Sequence, residues 1–175
     1  ANKLSVEKTI DTAQRLMHWS IGFPRKLHVI ENGQNFQRIA QKHPPEVRDL
    51  LCKRLMLRIA EHIAVKERTE GIVTGDSLRK EANQTLHAYR IQDEAAKDYP
   101  IYRPLLGLEV NSIREIAQRI GLEKTRLQEE ESKVEDTGKR QIVTIRLEDI
   151  KRIEKELNTK RMVKDTLKTL KVLKF

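Results

Sequence analysis

Short apolar runs containing β-branched residues alternate with longer stretches of helical periodicity, and this alternation constrains the fold more than any other feature. Leu27-His28-Val29-Ile30 stops at Asn32-Gly33, Ile72-Val73 lies between Gly71 and Gly75, and Ile101-Tyr102 is stopped by Pro104. Between and around these runs, Val6, Ile10, Ala13 and Met17 mark a helix over residues 4–19 that ends before Gly22 and Pro24. Leu51, Leu55, Ile59 and Ile63 mark a long buried helix after Pro44-Pro45, with Arg54, Arg58 and His62 on its other flank. Leu78, Ala82, Leu86 and Tyr89 define a third helix, capped by Asp76 or Ser77, and Ile113, Ile116, Ala117 and Ile120 a fourth, closed by Gly121. Strands alternating with helices require crossover connections, so the expected class is α/β: a Rossmann-like, mostly parallel sheet with helices on both faces over residues 1–122.

Residues 123–140 are polar, with Glu129-Glu130-Glu131 and Gly138, and read as a solvated connection. The C-terminal part, 141–175, is expected to hold a strand at Ile142-Val143-Thr144-Ile145, then helices near 147–158 and 160–173. A length of 175 residues suffices for about one domain with its own core.

Composition narrows the chemistry. A single cysteine, Cys52, excludes an intrachain disulfide and paired-cysteine zinc motifs, and the five histidines show no metal-binding spacing, so no metal site is assigned. Cys52 lies within the buried helix, where a thiol is inert. No apolar stretch is long enough to span a membrane, and residues 1–8 carry charge without an apolar core, so a cytoplasmic protein is expected. The net charge of +9 favours polyanion partners. It is unevenly placed: residues 159–175 hold six basic residues and one acidic residue, which is +5 of the total. Lys160, Arg161, Lys164, Lys168, Lys171 and Lys174 are therefore candidates for RNA phosphate contact, while packing of the apolar face of the same helix, or homodimerisation through it, stays open beside that reading.

In an open parallel sheet, ligands bind beyond the carboxyl ends of the strands, where loop amides and helix N-termini point. Asn32-Gly33, Gly75-Asp76-Ser77 and Arg103 fall at such ends. Gly75 would let the backbone approach a phosphate or ribose closely; an ordinary glycine turn and helix cap is the alternative. Gln84 on the following helix and Arg54 on the long one are, by local sequence alone, a solvated helix residue and a core-edge cation.

Five segments, in order and spacing, resemble the adenylating domain of tRNA 4-thiouridine synthetases, the ThiI-type sulfurtransferases of the PP-loop ATP pyrophosphatase superfamily. They are Leu51-Cys-Lys-Arg-Leu-Met-Leu-Arg-Ile-Ala60, Ile72-Val-Thr-Gly-Asp-Ser77, Asn83-Gln-Thr-Leu86, Tyr102-Arg-Pro-Leu-Leu-Gly-Leu108 and Ile116-Ala-Gln-Arg-Ile-Gly121. The resemblance covers residues 1–122. It implies that Arg54, Gly75, Asp76 and Gln84 bind ATP, with magnesium as the nucleotide's counterion, and that Arg103 shapes the floor beneath the target base. It implies tRNA as a partner, a persulfide as sulfur donor, and a link to thiamine biosynthesis. The family cleaves ATP between its α and β phosphates, adenylates a tRNA uridine and displaces AMP with sulfur. A non-catalytic RNA-binding or assembly module built on the same fold is the competing expectation.

The chain departs from that pattern in four ways. It has no Ser-Gly-Gly-x-Asp-Ser pyrophosphate loop, which would precede residue 1; it has Arg79-Lys-Glu-Ala-Asn83 where the family has Gly-Gln-Val-Ala-Ser. Glu109-Val110 replaces the family's Asp-Lys, and no cysteine follows Gly121. The expectation is a chain that binds adenine nucleotide and does not thiolate tRNA by itself.

Overall fold

The computed structural model describes residues 3–22, 25–77, 85–122 and 145–175. The expected strand at 142–145, the polar connection and Gln84 lie at least partly outside these residues. The order of elements is α1 (Lys3–Leu16), β1 (Lys26–Val29), α2 (Gly33–Lys42), α3 (Pro45–Glu67), β2 (Ile72–Val73), α4 (Leu86–Asp93), β3 (Ile101–Tyr102), α5 (Val110–Arg119), α6 (Leu147–Leu157), α7 (Thr159–Leu167) and β4 (Lys171–Lys174), with short 3-10 turns after α1 and α4. The class is α/β, and these elements fall into two compact units.

The larger unit comprises the described residues of 32–107 and 145–168. Its centre is α3. Pro45 sits in the first turn, where a missing N–H costs nothing, and Arg68 ends the helix in the left-handed region at φ 56°, its amide meeting the carbonyls of Ala64 and Val65. Leu50, Leu51, Arg54, Leu55, Leu57, Ile59 and Ala64 are all buried, because α2, α4, α6, α7 and β2 pack against α3 from several sides. In α6, Ile150, Glu154 and Leu157 recur at steps of four and three and turn inward. Asn158, at φ 54°, ends α6 and caps α7, its side-chain oxygen accepting from the Arg161 amide.

In the same unit β2 and β3 pair in parallel, with Ile72 opposite Ile101 and Val73 opposite Tyr102. A Cβ at Gly71 would come within 2.8 Å of the Tyr102 ring, so a side chain there would displace the tyrosine. The two isoleucines pack on Leu57, Ala95 and Ala96, while Val73 and Tyr102 on the opposite face are 70% and 58% exposed.

The smaller unit comprises the described residues of 1–31, 108–122 and 169–175. Here β1 pairs with β4 in antiparallel register, Leu27 opposite Leu173 and His28 opposite Val172. This corrects two expectations. The run at 27–30 does not join the runs at 72 and 101 in one parallel sheet among the described residues, and the expected tail helix over 160–173 stops at Leu167. Beyond it the chain extends, because backbone groups of β1 offer a ladder that a further helical turn could not use. The Glu31 amide bonds the Thr169 hydroxyl at 2.9 Å, and the Phe175 amide bonds the Arg25 carbonyl. The helix α1 carries its expected half-buried stripe, and α5 closes at Gly121 with φ 80°. Among the described residues no helix is long and apolar enough to cross a membrane.

Candidate functional site

Two clusters of charge hang from neighbouring residues of α3. Successive helix positions point about 100° apart, so Lys53 and Arg54 enter different surroundings. Arg54, which the resemblance sets against ATP, points into the core and is 0% exposed. Its Nε and Nη2 each donate to the Glu154 carboxylate at 2.8 Å, Nη2 also donates to Glu94 at 2.9 Å, and Nη1 donates to the Ile91 carbonyl. Arg58 reaches the same Glu154 oxygen at 2.8 Å, and Lys151 closes on Glu94 at 2.6 Å. Burial alone would raise the Glu154 carboxyl, but the hydrogen bonds and charges of Arg54 and then Arg58 outweigh it and hold it below the usual carboxylate range. Glu94 is held low in the same way, by Lys151 and Arg54 against its partial burial.

Lys53 takes the other direction. Its side chain is 48% exposed and its Nζ lies 2.6 Å from Asp76 Oδ1, at the carboxyl end of β2. Asp76 Oδ2 accepts from the Thr74 hydroxyl at 2.8 Å and lies 3.4 Å from Arg103 Nε. Partial burial works to raise this carboxyl; Lys53, Thr74 and Arg103 prevail and lower it. Asp76 is thus bound to these partners; the helix start expected after Asp76 or Ser77 lies outside the described residues, and the described α4 begins at Leu86 with Thr85 as its cap, whose hydroxyl accepts from the Ala88 amide.

Gly75 itself is exposed, has no left-handed φ, and a Cβ built there would meet no atom within 4 Å. Among the described residues, neither backbone conformation nor packing calls for glycine at this point. Arg103 stands behind the loop, its Nη1 and Nη2 on the Asp93 carboxylate at 3.2 and 2.6 Å and its guanidinium 4.6 Å above the Tyr89 ring. The Tyr89 hydroxyl donates to the Ser77 carbonyl at 2.9 Å.

The structure thus brings Gly75, Asp76 and Arg103 together and adds Lys53, Asp93 and Tyr89, which the sequence reading did not single out. For Lys53 a signal was available: it is the cation beside Arg54, one step further around the helix. The burial of Cys52, with Asp49 nearby, pushes its thiol up to about 11, leaving it protonated and unreactive at neutral pH. Among the described residues no cluster of histidine, cysteine and carboxylate side chains could hold a metal.

The basic tail residues are exposed but do not share one helix. Lys160, Arg161 and Lys164 lie on α7, Lys168 follows it, and Lys171 and Lys174 lie on β4. Asp165 pairs with Lys168 at 2.7 Å and Arg161 at 3.5 Å. Met162, Val163 and Thr166 form the buried face of α7, so the helix packs within its own unit.

The ThiI family model, described as thiamine biosynthesis protein, matches residues 1–159. A probable tRNA sulfurtransferase of Thermus thermophilus is 34% identical over 172 residues, 98% of this chain and 42% of its own length. Its counterpart in Methanosarcina mazei is 32% identical over 178 residues, 100% of this chain and 43% of its own length. One from Thermoanaerobacter pseudethanolicus is 33% identical over 114 residues, covering 65% of this chain and 29% of its own length. A solved 4-thiouridine synthetase–RNA complex with bound ATP has the same fold, with a TM-score of 0.77 at 22% identity over 96% of this chain and 44% of that one. The chain spans less than half the length of these relatives.

Proposed function

This chain belongs to the ThiI family, and from that premise we propose that it is the part of a tRNA uridine-thiolating adenylation domain that holds the adenine nucleotide. The observation that carries the reading is Gly75: an exposed glycine with open space above its backbone, at the carboxyl end of a parallel strand, flanked by the Lys53–Asp76 pair. Backbone approach to a phosphate or ribose uses that space, and a cation within reach offsets phosphate charge.

The nucleotide contacts are assigned to Gly75, to Asp76 as the carboxylate that fixes Lys53, and to Gln84 on the strength of the resemblance. Arg54 is assigned to the core instead, because all three of its nitrogens already donate to Glu154, Glu94 and Ile91. ATP enters with its magnesium counterion. The reaction served is cleavage between the α and β phosphates, adenylation of a tRNA uridine and displacement of AMP by persulfide sulfur. The tRNA would lie along the exposed cations of α7. A cytoplasmic location follows from that substrate.

Calorimetric titration of the chain with AMP tests the reading. Binding tighter than about 1 mM, roughly 4 kcal/mol, is expected, and it should vanish on Gly75→Val, which fills the open space with a side chain. No heat up to millimolar AMP overturns the reading, as does Gly75→Val binding like the parent.

A further inference from the structure

We propose that Arg103 is a positioning residue: it anchors the loop of residues 74–77 from behind, and takes up Asp76 through its spare Nε–H when the loop tightens on a ligand. The proposal deepens the nucleotide-binding reading and rests on it only for the identity of the ligand.

The geometry assigns each part of the guanidinium a task. Its two Nη groups grip the Asp93 carboxylate at the end of α4 side by side, which sets the plane of the fork. Its face lies 4.6 Å above the Tyr89 ring, so the plane is fixed from a second direction. The same tyrosine donates its hydroxyl to the Ser77 carbonyl at 2.9 Å, which ties the far end of the loop to α4. Tyr89 therefore holds Ser77 while Arg103 faces Asp76, the two residues that follow Gly75.

What remains is Nε. The Arg103 side chain is 8% exposed, and its Nε is buried without a hydrogen-bond partner, 3.4 Å from Asp76 Oδ2. A buried N–H donor left without a hydrogen bond is costly even where the charge itself is paired. Asp76 Oδ2 lies only about 0.2 Å beyond the ordinary N–H···O range, so a small inward movement of Asp76 would bring the two within hydrogen-bond reach. Asp76 also carries Lys53 on its other oxygen, so that movement would draw the exposed ammonium toward the strand end where Gly75 is open. The Arg103 side chain is enclosed and committed to Asp93, so its action on the ligand is indirect.

The test uses the full chain with Arg103→Lys and Arg103→Met, and AMP as the probe. The nitrogen-15 resonance of Arg103 Nε, the hydrogen exchange of the Gly75 and Ser77 amides, and the titration of the Asp76 carboxyl are followed with and without nucleotide. In the parent, AMP should shift the Nε–H resonance and slow the loop amides. Arg103→Lys keeps the charge but loses the fork; it should raise the Asp76 titration, speed loop exchange about tenfold and weaken AMP about tenfold, which corresponds to about 1.4 kcal/mol. Should Arg103→Met not fold, Arg103→Lys and Asp93→Asn carry the test. Weaker AMP binding with loop exchange and Asp76 titration unchanged would make Arg103 a direct ligand contact and overturn the proposal. Unchanged loop exchange and Asp76 titration in every variant would overturn it too. If the parent binds no AMP, the nucleotide reading fails, and the loop exchange and Asp76 titration still decide whether Arg103 positions the loop.

Discussion

Lys53 and Arg54 are neighbours in sequence, carry the same charge, and both pair with carboxylates, yet one belongs to the core and the other to the surface. Arg54 gives its donors to two glutamates and a backbone carbonyl and sees no solvent; Lys53 gives a single contact to Asp76 and keeps half its side chain in water. The difference lies in direction around the helix and in what packs there. The face bearing Arg54 is covered by α4 and α6, whereas Lys53 looks toward the end of β2. A buried charge with all three nitrogens bonded holds elements together, while a partly exposed one retains capacity for a ligand.

Arg54→Met breaks this comparison most severely. It strands Glu154 in the core, and removing one partner of a buried pair costs about 3–5 kcal/mol. Combining it with Glu154→Leu should recover most of that loss, since the buried carboxylate is then gone and Arg58, 30% exposed, can turn to water. Urea unfolding of the two single variants and the double variant measures the coupling. A single-variant loss below about 1 kcal/mol would mean that the cluster is not structural.

Acid is the next largest effect. Glu154 and Glu94 are held below their ordinary values in the folded chain and return to them on unfolding. Their contribution is therefore present above the ordinary carboxylate range and is lost as pH falls through the depressed folded values. The melting temperature should be nearly flat between pH 7 and 5 and fall steeply below about pH 4. Glu154→Gln should melt lower at neutral pH and show a shallower acid limb; an acid limb as steep as the parent's would exclude Glu154 from it.

Lys53→Met sharpens the contrast from the other side. A half-exposed pair is worth about 0–1 kcal/mol, so stability should barely move, while AMP affinity should drop by about tenfold through loss of the ligand-facing cation. A stability loss as large as that of Arg54→Met, or AMP affinity equal to the parent's, would erase the distinction between the two residues.

How much of this could be read in advance depends on the range of the interaction. The core helix α3 was legible because Leu51, Leu55 and Ile59 repeat locally, and so were α1 and α5. The helix α2 was read as a turn at Asn32-Gly33: it is anchored by little more than Phe36 and Ile39 in a polar sequence, and Asn32 becomes legible only through Thr166, 134 residues away. The strand β4 looked like a continuing helix because Leu170 and Leu173 keep helical spacing, and only pairing with β1 makes it extended. Gly75, Asp76 and Arg103 were singled out by their positions at strand ends and by the resemblance, and the fold places Asp76 and Arg103 3.4 Å apart. The partner of Arg54 lies 100 residues along the chain, and no local pattern announces it.

The smallest effect on stability, and an independent reading of exposed charge, is expected on α7. Lys160, Arg161, Lys164 and Lys168 project outward while Met162, Val163 and Thr166 pack inward, so changing the four cations to glutamine leaves the buried face intact. Asp165 pairs with two of the four on the surface, and exposed pairs of this kind hold little stability. Melting temperature should therefore stay within a degree or two of the parent. If these cations meet RNA phosphates, affinity for unmodified tRNA should fall and the log–log salt slope should shrink by roughly 0.7–0.9 for each contact removed. The contribution of Asp165 separates charge from geometry: Asp165→Asn frees Arg161 and Lys168 and should steepen the slope. A quadruple variant with the parent's salt slope would remove α7 from the RNA surface and leave the remaining tail cations, Lys171 and Lys174 on β4, to be tested in the same way.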